Sequence, residues 1–199
     1  GGYINFFLDK DVYAESLVRN IENNSFEIFK DGEGKTVCID YSSPNIAKNF
    51  HVGHLRTTII GNSLYKIYSK LGYKVERINH LGDWGTQFGK LIVAYKKWGS
   101  KEEVEKNGIS ELMKLYVKFH EEAEKDDFLN DEARVWFVRM EKGDEEALSI
   151  WQWFIDISMV EYKRIYDLLG IDFDHYTGES FYRNMGQDVI DQLNEKNLL

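Results

Sequence analysis

Residues 41–55 read YSSPNIAKNFHVGHL, and this polar segment joins a predicted strand, residues 36–41, to a predicted helix. The apolar residues of that helix recur at helical spacing: Leu55, Ile59, Leu64, Ile67 and Leu71. Gly72 is a natural stop for it. Backbone N–H groups at the start of a helix lack intrahelical partners and carry partial positive charge. A strand, a polar loop and a helix start in this order therefore predict a phosphate-binding site.

Two histidines, His51 and His54, lie at the start of that helix with Gly53 between them. They share one face of the first turn, and Gly53 removes a side chain where a flat ring or a phosphate could approach. Imidazoles here suit the stabilisation of charge on a phosphoryl group in a transition state. The alternatives are a capping or packing role, or a zinc site. Because Cys38 is the only cysteine and no HExxH motif is present, we predict no protein-bound metal.

A second strand is predicted at residues 74–79, so that strand, helix and strand form a right-handed βαβ unit of a parallel sheet. Ligands bind beyond the carboxyl ends of such strands. Residues 42–50, the first loop, and residues 80–87, the second loop (HLGDWGTQ), each follow one of the strands. The sequence therefore predicts an α/β fold with a site where these loops meet.

The charge distribution supports this location. The 199 residues carry a net charge of −9, yet residues 36–99 hold nine Lys or Arg against three acids, and residues 101–150 hold eight against fifteen. The basic segment is the one expected to meet phosphates. No apolar run approaches the ~20 residues of a membrane span and no signal-peptide pattern appears, so a cytoplasmic protein is expected. Cys38, in a strand-like run, is expected to be buried.

The remaining segments are predicted to be mainly helical. Helices are expected at residues 9–30, 86–98, about 145–169 and 185–196, and further strands at 3–8 and 171–176. The charged residues 101–150 carry apolar residues at helical spacing and are interpreted as a helical insertion. The aromatic residues expected in the core of the helical part are Trp136, Trp151, Trp153 and Phe154.

Polar residues around the histidines are further candidates. Ser43 and Asn45 offer a hydroxyl and an amide to a small ligand, and Pro44, the only proline, is expected to end the strand and favour an extended Ser43. Asp40 either packs beside a lysine or neutralises a cationic substrate. Lys48 either lies in solvent or reaches phosphates as a point charge.

Three residues of the second loop, Asp83, Trp84 and Gln87, have two interpretations. Either they contact the substrate, or they pin the loop, with Asp83 as a cap and Trp84 as packing. Both interpretations stay open at the level of the sequence.

These blocks resemble the class I aminoacyl-tRNA synthetases, whose signature is His-x-Gly-His at the start of the first Rossmann helix. The blocks DYSSPNIAK, HVGHLRTTIIG and HLGDWGTQFG, at residues 40–48, 51–61 and 80–89, look like the arginyl-tRNA synthetases within that class. GGYINFFL at residues 1–8 is similar to the end of that family's N-terminal domain, and GESFY at residues 178–182 to another family segment. The resemblance covers most of the chain.

The resemblance implies a Rossmann-like (HUP-type) parallel sheet that binds a nucleotide, with a mainly helical insertion. L-arginine would attack the α-phosphorus of ATP, which is accompanied by Mg²⁺, and the arginyl group would pass to the 3′ end of tRNA(Arg). Neither DNA nor a membrane is an implied partner. By resemblance, His51 and His54 are catalytic with Lys48 assisting, and His51, Gly53 and His54 bind ATP. The implied arginine-binding residues are Asp40, Ser43, Pro44, Asn45 and His54, with Asp83, Trp84 and Gln87 as a possible substrate loop.

The same resemblance divides the chain into four parts. These are the end of an N-terminal domain with a connecting helix (1–35), the first half of the catalytic core with the His-x-Gly-His motif (36–99), the helical insertion (100–150), and the long helix with its return to the core (151–199). The family's downstream Lys-Met-Ser-Lys motif is absent, so we expect a piece of a longer protein that is inactive alone. The alternatives are a small-molecule nucleotidyltransferase with the same histidine loop, a non-catalytic synthetase paralogue, and an interaction module built on the acidic segment.

Overall fold

Three parallel strands form the sheet in a computed structural model that describes residues 2–23 and 30–199. They are β1 (Thr36–Asp40), β2 (Lys74–Asn79) and β3 (His175–Tyr176), in the order β1-β2-β3. The helix that joins β1 to β2 packs on both strands. The predicted parallel βαβ unit is therefore confirmed, and each of the two loops follows the carboxyl end of its strand.

Helices make up most of the rest of the described chain. The α-helices there are α1 (Lys10–Glu22), α2 (Val52–Lys70), α3 (Thr86–Trp98), α4 (Lys101–Asn107), α5 (Ile109–Ala123), α6 (Phe128–Glu141), α7 (Glu145–Leu169) and α8 (Gly186–Glu195), and a 3₁₀ helix spans Glu179–Tyr182. The helices predicted at residues 86–98, 145–169 and 185–196 are confirmed. The helix predicted at residues 9–30 ends at Glu22, and positions 24–29 of that prediction lie outside the described residues.

The hydrophobic core lies among the helices that follow the second loop. α3 packs on α5 and α6, and α7 packs on all three. Gly89 permits the close approach of α3 to α6, because a Cβ there would lie 2.1 Å from the carbonyl oxygen of Ala133. The fully buried apolar side chains of this core include Phe88, Ile92, Leu112, Phe119 and Phe154. Burying each such side chain contributes about 1.5–3 kcal/mol to the free energy of folding.

The aromatic residues predicted for this core are found in it or at its edge. Trp151 and Phe154 are buried, whereas Trp136 and Trp153 are half-buried and pack against the buried cluster. α7 also runs through position 150, the predicted end of the insertion. That four-part division of the chain stays a prediction.

The apolar face predicted for α2 is at the surface. Its members Leu55, Ile59, Leu64 and Ile67 are 37–54% exposed, and the buried residues of α2 are instead Thr58, Gly61 and Asn62. β1 is the edge of the described sheet. No described strand lies beyond β1 to cover the apolar face of α2. None of the described helices combines the length and apolar character needed to cross a membrane.

Two further expectations for the strands are wrong. Residues 3–8 form no strand, and their apolar side chains are exposed. Cys38 is exposed, because it lies on the edge strand β1 and its side of the sheet is uncovered by the described residues.

The strand predicted at residues 171–176 is shortened to its last two residues by a side chain. The carboxylate of Asp174 accepts the backbone N–H of Arg77 at 2.9 Å, where a strand would supply a carbonyl. The Arg77 guanidinium also binds that carboxylate and lowers the pKa of Asp174 to about 2. The N–H of Asp174 still donates to the carbonyl of Arg77 at 3.0 Å, but the paired residues of β3 are His175 and Tyr176 alone.

Candidate active site

The two loops meet at the carboxyl edge of the sheet, as predicted. The N–H of Ile46 donates to the carbonyl of Gly82, and the N–H of Gly82 donates to the carbonyl of Pro44, both at 3.1 Å. Gly82 leaves room for the Asn45 side chain, since a Cβ at position 82 would lie 1.9 Å from Oδ1 of Asn45. The second loop therefore sets the position of the Asn45 side chain on the first.

His51 and His54 cap the start of α2 reciprocally. Nδ1 of His51 accepts the N–H of Gly53 at 3.1 Å, and Nδ1 of His54 accepts the N–H of His51 at 3.2 Å. The two rings stack with centroids 3.8 Å apart. An Nδ1 that accepts a hydrogen bond carries no proton, so this geometry places the ring proton on Nε2. Capping and phosphate binding are thus compatible, since Nδ1 serves the helix and Nε2–H remains as a donor for a ligand.

Gly53 lies beneath the ring of His51. A Cβ at Gly53 would lie 2.9 Å from Cε1 of His51, so the glycine accommodates this ring as well as any ligand. The N–H of Gly53 is already bound by His51. An anion at this helix start would therefore meet imidazole N–H groups in addition to backbone N–H groups, and no acidic residue lies in the first turn of α2.

The environment of His54 keeps its imidazole neutral. Burial lowers the pKa of His54 below its usual value of 6.5, and the neighbouring His51 and Lys48 lower it further. The ring of Phe50 lies against it, with centroids 5.3 Å apart. Neutral His54 is the form that the capping geometry requires, because a protonated Nδ1 cannot accept the N–H of His51.

A pH dependence of stability follows from this lowered pKa. Below pH 6.5 the unfolded chain binds a proton that folded His54 does not, so stability is complete above 6.5 and is lost as the pH falls through the folded-state pKa. His54→Asn keeps an acceptor for the cap without titrating, and we expect it to lose less stability than the wild type between pH 7.5 and 5.5. Urea denaturation at the two pH values measures this, and equal losses would contradict the lowered pKa.

The first loop has a strained backbone. Ser42, Ser43 and Ala47 have φ of +75°, +50° and +59°. The extended conformation predicted for Ser43 is therefore wrong, although Pro44 follows it. Each such non-glycine residue costs on the order of 1–3 kcal/mol and persists only where its surroundings fix it.

Side chains from other elements fix this backbone. Oδ1 of Asn79, a fully buried residue at the end of β2, accepts the N–H of Ser43 at 3.1 Å. The hydroxyl of Tyr166 on α7 lies 2.7 Å from that of Ser42 and accepts Nδ2 of Asn79 at 3.0 Å. Nothing in the sequence signals these contacts, because 124 positions separate Ser42 from Tyr166.

The other candidates on and beside the first loop fall into two groups. Oγ of Ser43 donates to the carboxylate of Asp40 at 2.8 Å, and Asp40 and Gly53 line an open groove between β1 and α2. The exposed Lys48 lines a separate small cavity, together with Gln87 at the start of α3.

Residues of the second loop make the contacts that pin a loop. The carboxylate of Asp83 accepts the N–H and the hydroxyl of Ser180 at 2.8 and 2.7 Å. Trp84 packs edge-on against Trp151, with ring centroids 5.3 Å apart, and its carbonyl accepts Nε2 of Gln87 at 3.0 Å. A direct substrate role for these residues stays a prediction.

Comparison with known families identifies the group to which this site belongs. The profile of the family described as "tRNA synthetases class I (R), catalytic domain" matches residues 17–199. The chain belongs to this family. Among curated relatives of this family, the arginine–tRNA ligases of Alkaliphilus metalliredigens and Clostridioides difficile are 59% and 58% identical to the chain, and each alignment covers all of the chain and 36% of the relative. The chain therefore spans about a third of the length of the curated relatives it matches.

Solved structures agree with the family assignment. An arginyl-tRNA synthetase from Plasmodium falciparum matches with a TM-score of 0.66 and 31% identity, over 94% of the chain and 33% of that protein. The Thermus thermophilus arginyl-tRNA synthetase matches with a TM-score of 0.70 and 23% identity, over 98% of the chain and 31% of that protein, and supports the fold alone. The predicted Rossmann-like α/β fold is confirmed.

Proposed function

We propose that the chain is the part of an arginine–tRNA ligase that carries the histidine pair, within a longer protein called the parent protein below. The reaction would join L-arginine to the α-phosphate of ATP with release of pyrophosphate, and then transfer the arginyl group to the 3′ end of tRNA(Arg). The observation that carries the proposal is the reciprocally capped pair, His51 and His54, at the helix start of a chain that belongs to this family.

The chemistry proposed for the pair is electrostatic. Negative charge develops on the α-phosphate oxygens as the arginine carboxylate attacks, and the Nε2–H groups of His51 and His54 would donate to those oxygens. Because the backbone cap fixes both rings before the substrate arrives, no reorganisation is needed during the step. Lys48 would add a positive charge near the phosphates, and Gly53 would allow ATP to approach closely.

The proposed arginine site lies beside the pair. A carboxylate at a strand end suits a guanidinium group, and Asp40 is already oriented by the hydroxyl of Ser43. Asn45, whose exposed side chain is set by Gly82, would supply a further polar contact. Specific recognition needs several such groups, and the full proposed set is Asp40, Ser43, Pro44, Asn45 and His54.

Mg²⁺ would reach this site with the phosphates of ATP. In residues 2–23 and 30–199 no three His, Cys, Asp or Glu side chains group so as to hold a metal ion. That the protein supplies no ligand to Mg²⁺ stays a prediction. We further propose a cytoplasmic location, the four-part division of the chain, and no DNA or membrane partner.

The test is charging of tRNA by the parent protein, with each amino acid supplied separately. Charging with arginine alone is the expected result. We also expect that the 199-residue chain by itself charges no tRNA, because it spans about a third of its relatives. Charging by the chain alone contradicts that expectation. A folded parent protein that charges no tRNA contradicts the proposed function and favours the paralogue or nucleotidyltransferase alternative.

A further inference from the structure

Helix α7 presents three buried hydroxyl groups on one face. They belong to Ser158, Tyr162 and Tyr166, which follow one another at intervals of four residues, and we call them the hydroxyl ladder. Residues four apart on a helix lie above one another. The ladder therefore runs as a line along α7, in an otherwise mainly apolar contact surface.

Every member of the hydroxyl ladder contacts the first loop. Oγ of Ser158 accepts the N–H of Ala47 at 3.0 Å. The hydroxyl of Tyr162 lies 2.6 Å from two carbonyl oxygens, those of Asn45 and Lys48. The Tyr166 hydroxyl lies within hydrogen-bond distance of Ser42, as described above.

These contacts coincide with the strained part of the loop. Ser42 and Ala47 have positive φ, and the N–H or side-chain hydroxyl of each is held by a member of the ladder. α7 itself packs against α3, α5 and α6, so the helix that carries the hydroxyl ladder is part of the helical core. α7 therefore helps to hold the loop, although it contributes no side chain to the proposed substrate contacts.

We propose that the hydroxyl ladder is a positioning device for the substrate loop, with Tyr162 as its principal positioning residue; this rests on the proposed function. Asn45 belongs to the proposed arginine site and Lys48 to the proposed phosphate contacts, and the carbonyls of both share the single O–H donor of Tyr162. Tyr162 thus fixes the spacing between the two substrates. Losing its hydroxyl lets residues 45–48 move while the ring of Tyr162 stays in the core.

The test is Tyr162→Phe in the parent protein, measured by tRNA charging with arginine. A misplacement of about 1 Å can cost 10²-fold in rate, and since one hydroxyl of three is removed we expect kcat/KM to fall on the order of tenfold. The KM values for arginine and for ATP should both rise. Tyr95→Phe is the matched control, because its ring packs on Trp153 and Phe154 of the same helix while its hydroxyl makes no hydrogen bond to the described residues.

A background variant separates positioning from general support of the fold. In a protein that already carries Asn45→Ala and Lys48→Ala, adding Tyr162→Phe should change kcat/KM little, because the groups that it positions are gone. A full tenfold loss in that background overturns the proposal, as does wild-type charging by Tyr162→Phe alone. If the wild-type parent protein charges no tRNA, the proposed function and this inference both fall; if it charges normally and only the variant result is negative, this inference alone falls.

Discussion

His54→Asn in the parent protein lowers kcat/KM for arginine in tRNA charging by about 10²- to 10³-fold and leaves stability close to that of the wild type. The asparagine Oδ1 takes the place of Nδ1 and accepts the N–H of His51, so the cap is kept. No donor remains at the position of Nε2–H, and removal of one preorganised donor to developing negative charge costs about this factor. Steady-state charging assays, with thermal denaturation of the same samples, measure both effects.

His54→Gln is the matched control for that prediction. Its amide nitrogen reaches the position of Nε2 but leaves the N–H of His51 without its acceptor. We expect it to retain more activity than His54→Asn and to lose about 1 kcal/mol of stability, the usual cost of a missing helix cap. The reverse order of activities would mean that the pair contributes through the cap of α2 and not through donation to a ligand.

The site was predictable where local chemistry determines it. The apolar run before Ser42, the helix start at His51 and the second strand after Gly72 are all signalled by adjacent residues, and a parallel βαβ unit admits one arrangement of its loops. The position of the His51 and His54 pair follows from that arrangement. Their reciprocal cap could also have been predicted from the sequence, because two histidines three residues apart at a helix start have the spacing of a capping box.

The conformation of the first loop was not predictable in this way. The residue before a proline avoids the helical region, and this predicted an extended Ser43. In the structure Asn79 binds its N–H and Asp40 binds its hydroxyl, and together they hold φ at +50°. Tertiary hydrogen bonds decided the conformation, and the neighbouring sequence does not encode their partners.

Periodicity identified apolar faces without showing what covers them. The α2 residues Leu55 and Ile67 lie on the predicted stripe and are 37% and 54% exposed. Cys38 is exposed for the same reason, since β1 is the edge of the described sheet. Conversely, no pattern in the sequence marks Ser158 of α7 as a contact residue. Its hydroxyl nevertheless accepts the N–H of Ala47, which lies 111 positions away in the chain.

Asn79→Leu destabilises the chain by about 1–3 kcal/mol, because the N–H of Ser43 loses its partner and the hydroxyl of Tyr166 keeps only that of Ser42. The wild-type amide accepts the N–H of Ser43 and donates to the hydroxyl of Tyr166, and its side chain is fully buried. Leucine has the same branched side-chain skeleton but can form neither bond, and one unsatisfied buried group costs about 1–3 kcal/mol. Urea denaturation of the chain measures the loss.

Asn49→Leu serves as the comparison for that substitution, since Asn49 lies on the first loop with its side chain exposed. A surface change of this kind is expected to alter stability by no more than about 0.5 kcal/mol. Because Asn79 joins the end of β2, the first loop and α7 through one amide, its loss should also loosen Ser43. Hydrogen exchange of the Ser43 amide then accelerates in Asn79→Leu and not in Asn49→Leu. Equal stabilities of the two variants would show that the loop keeps its left-handed backbone without this amide.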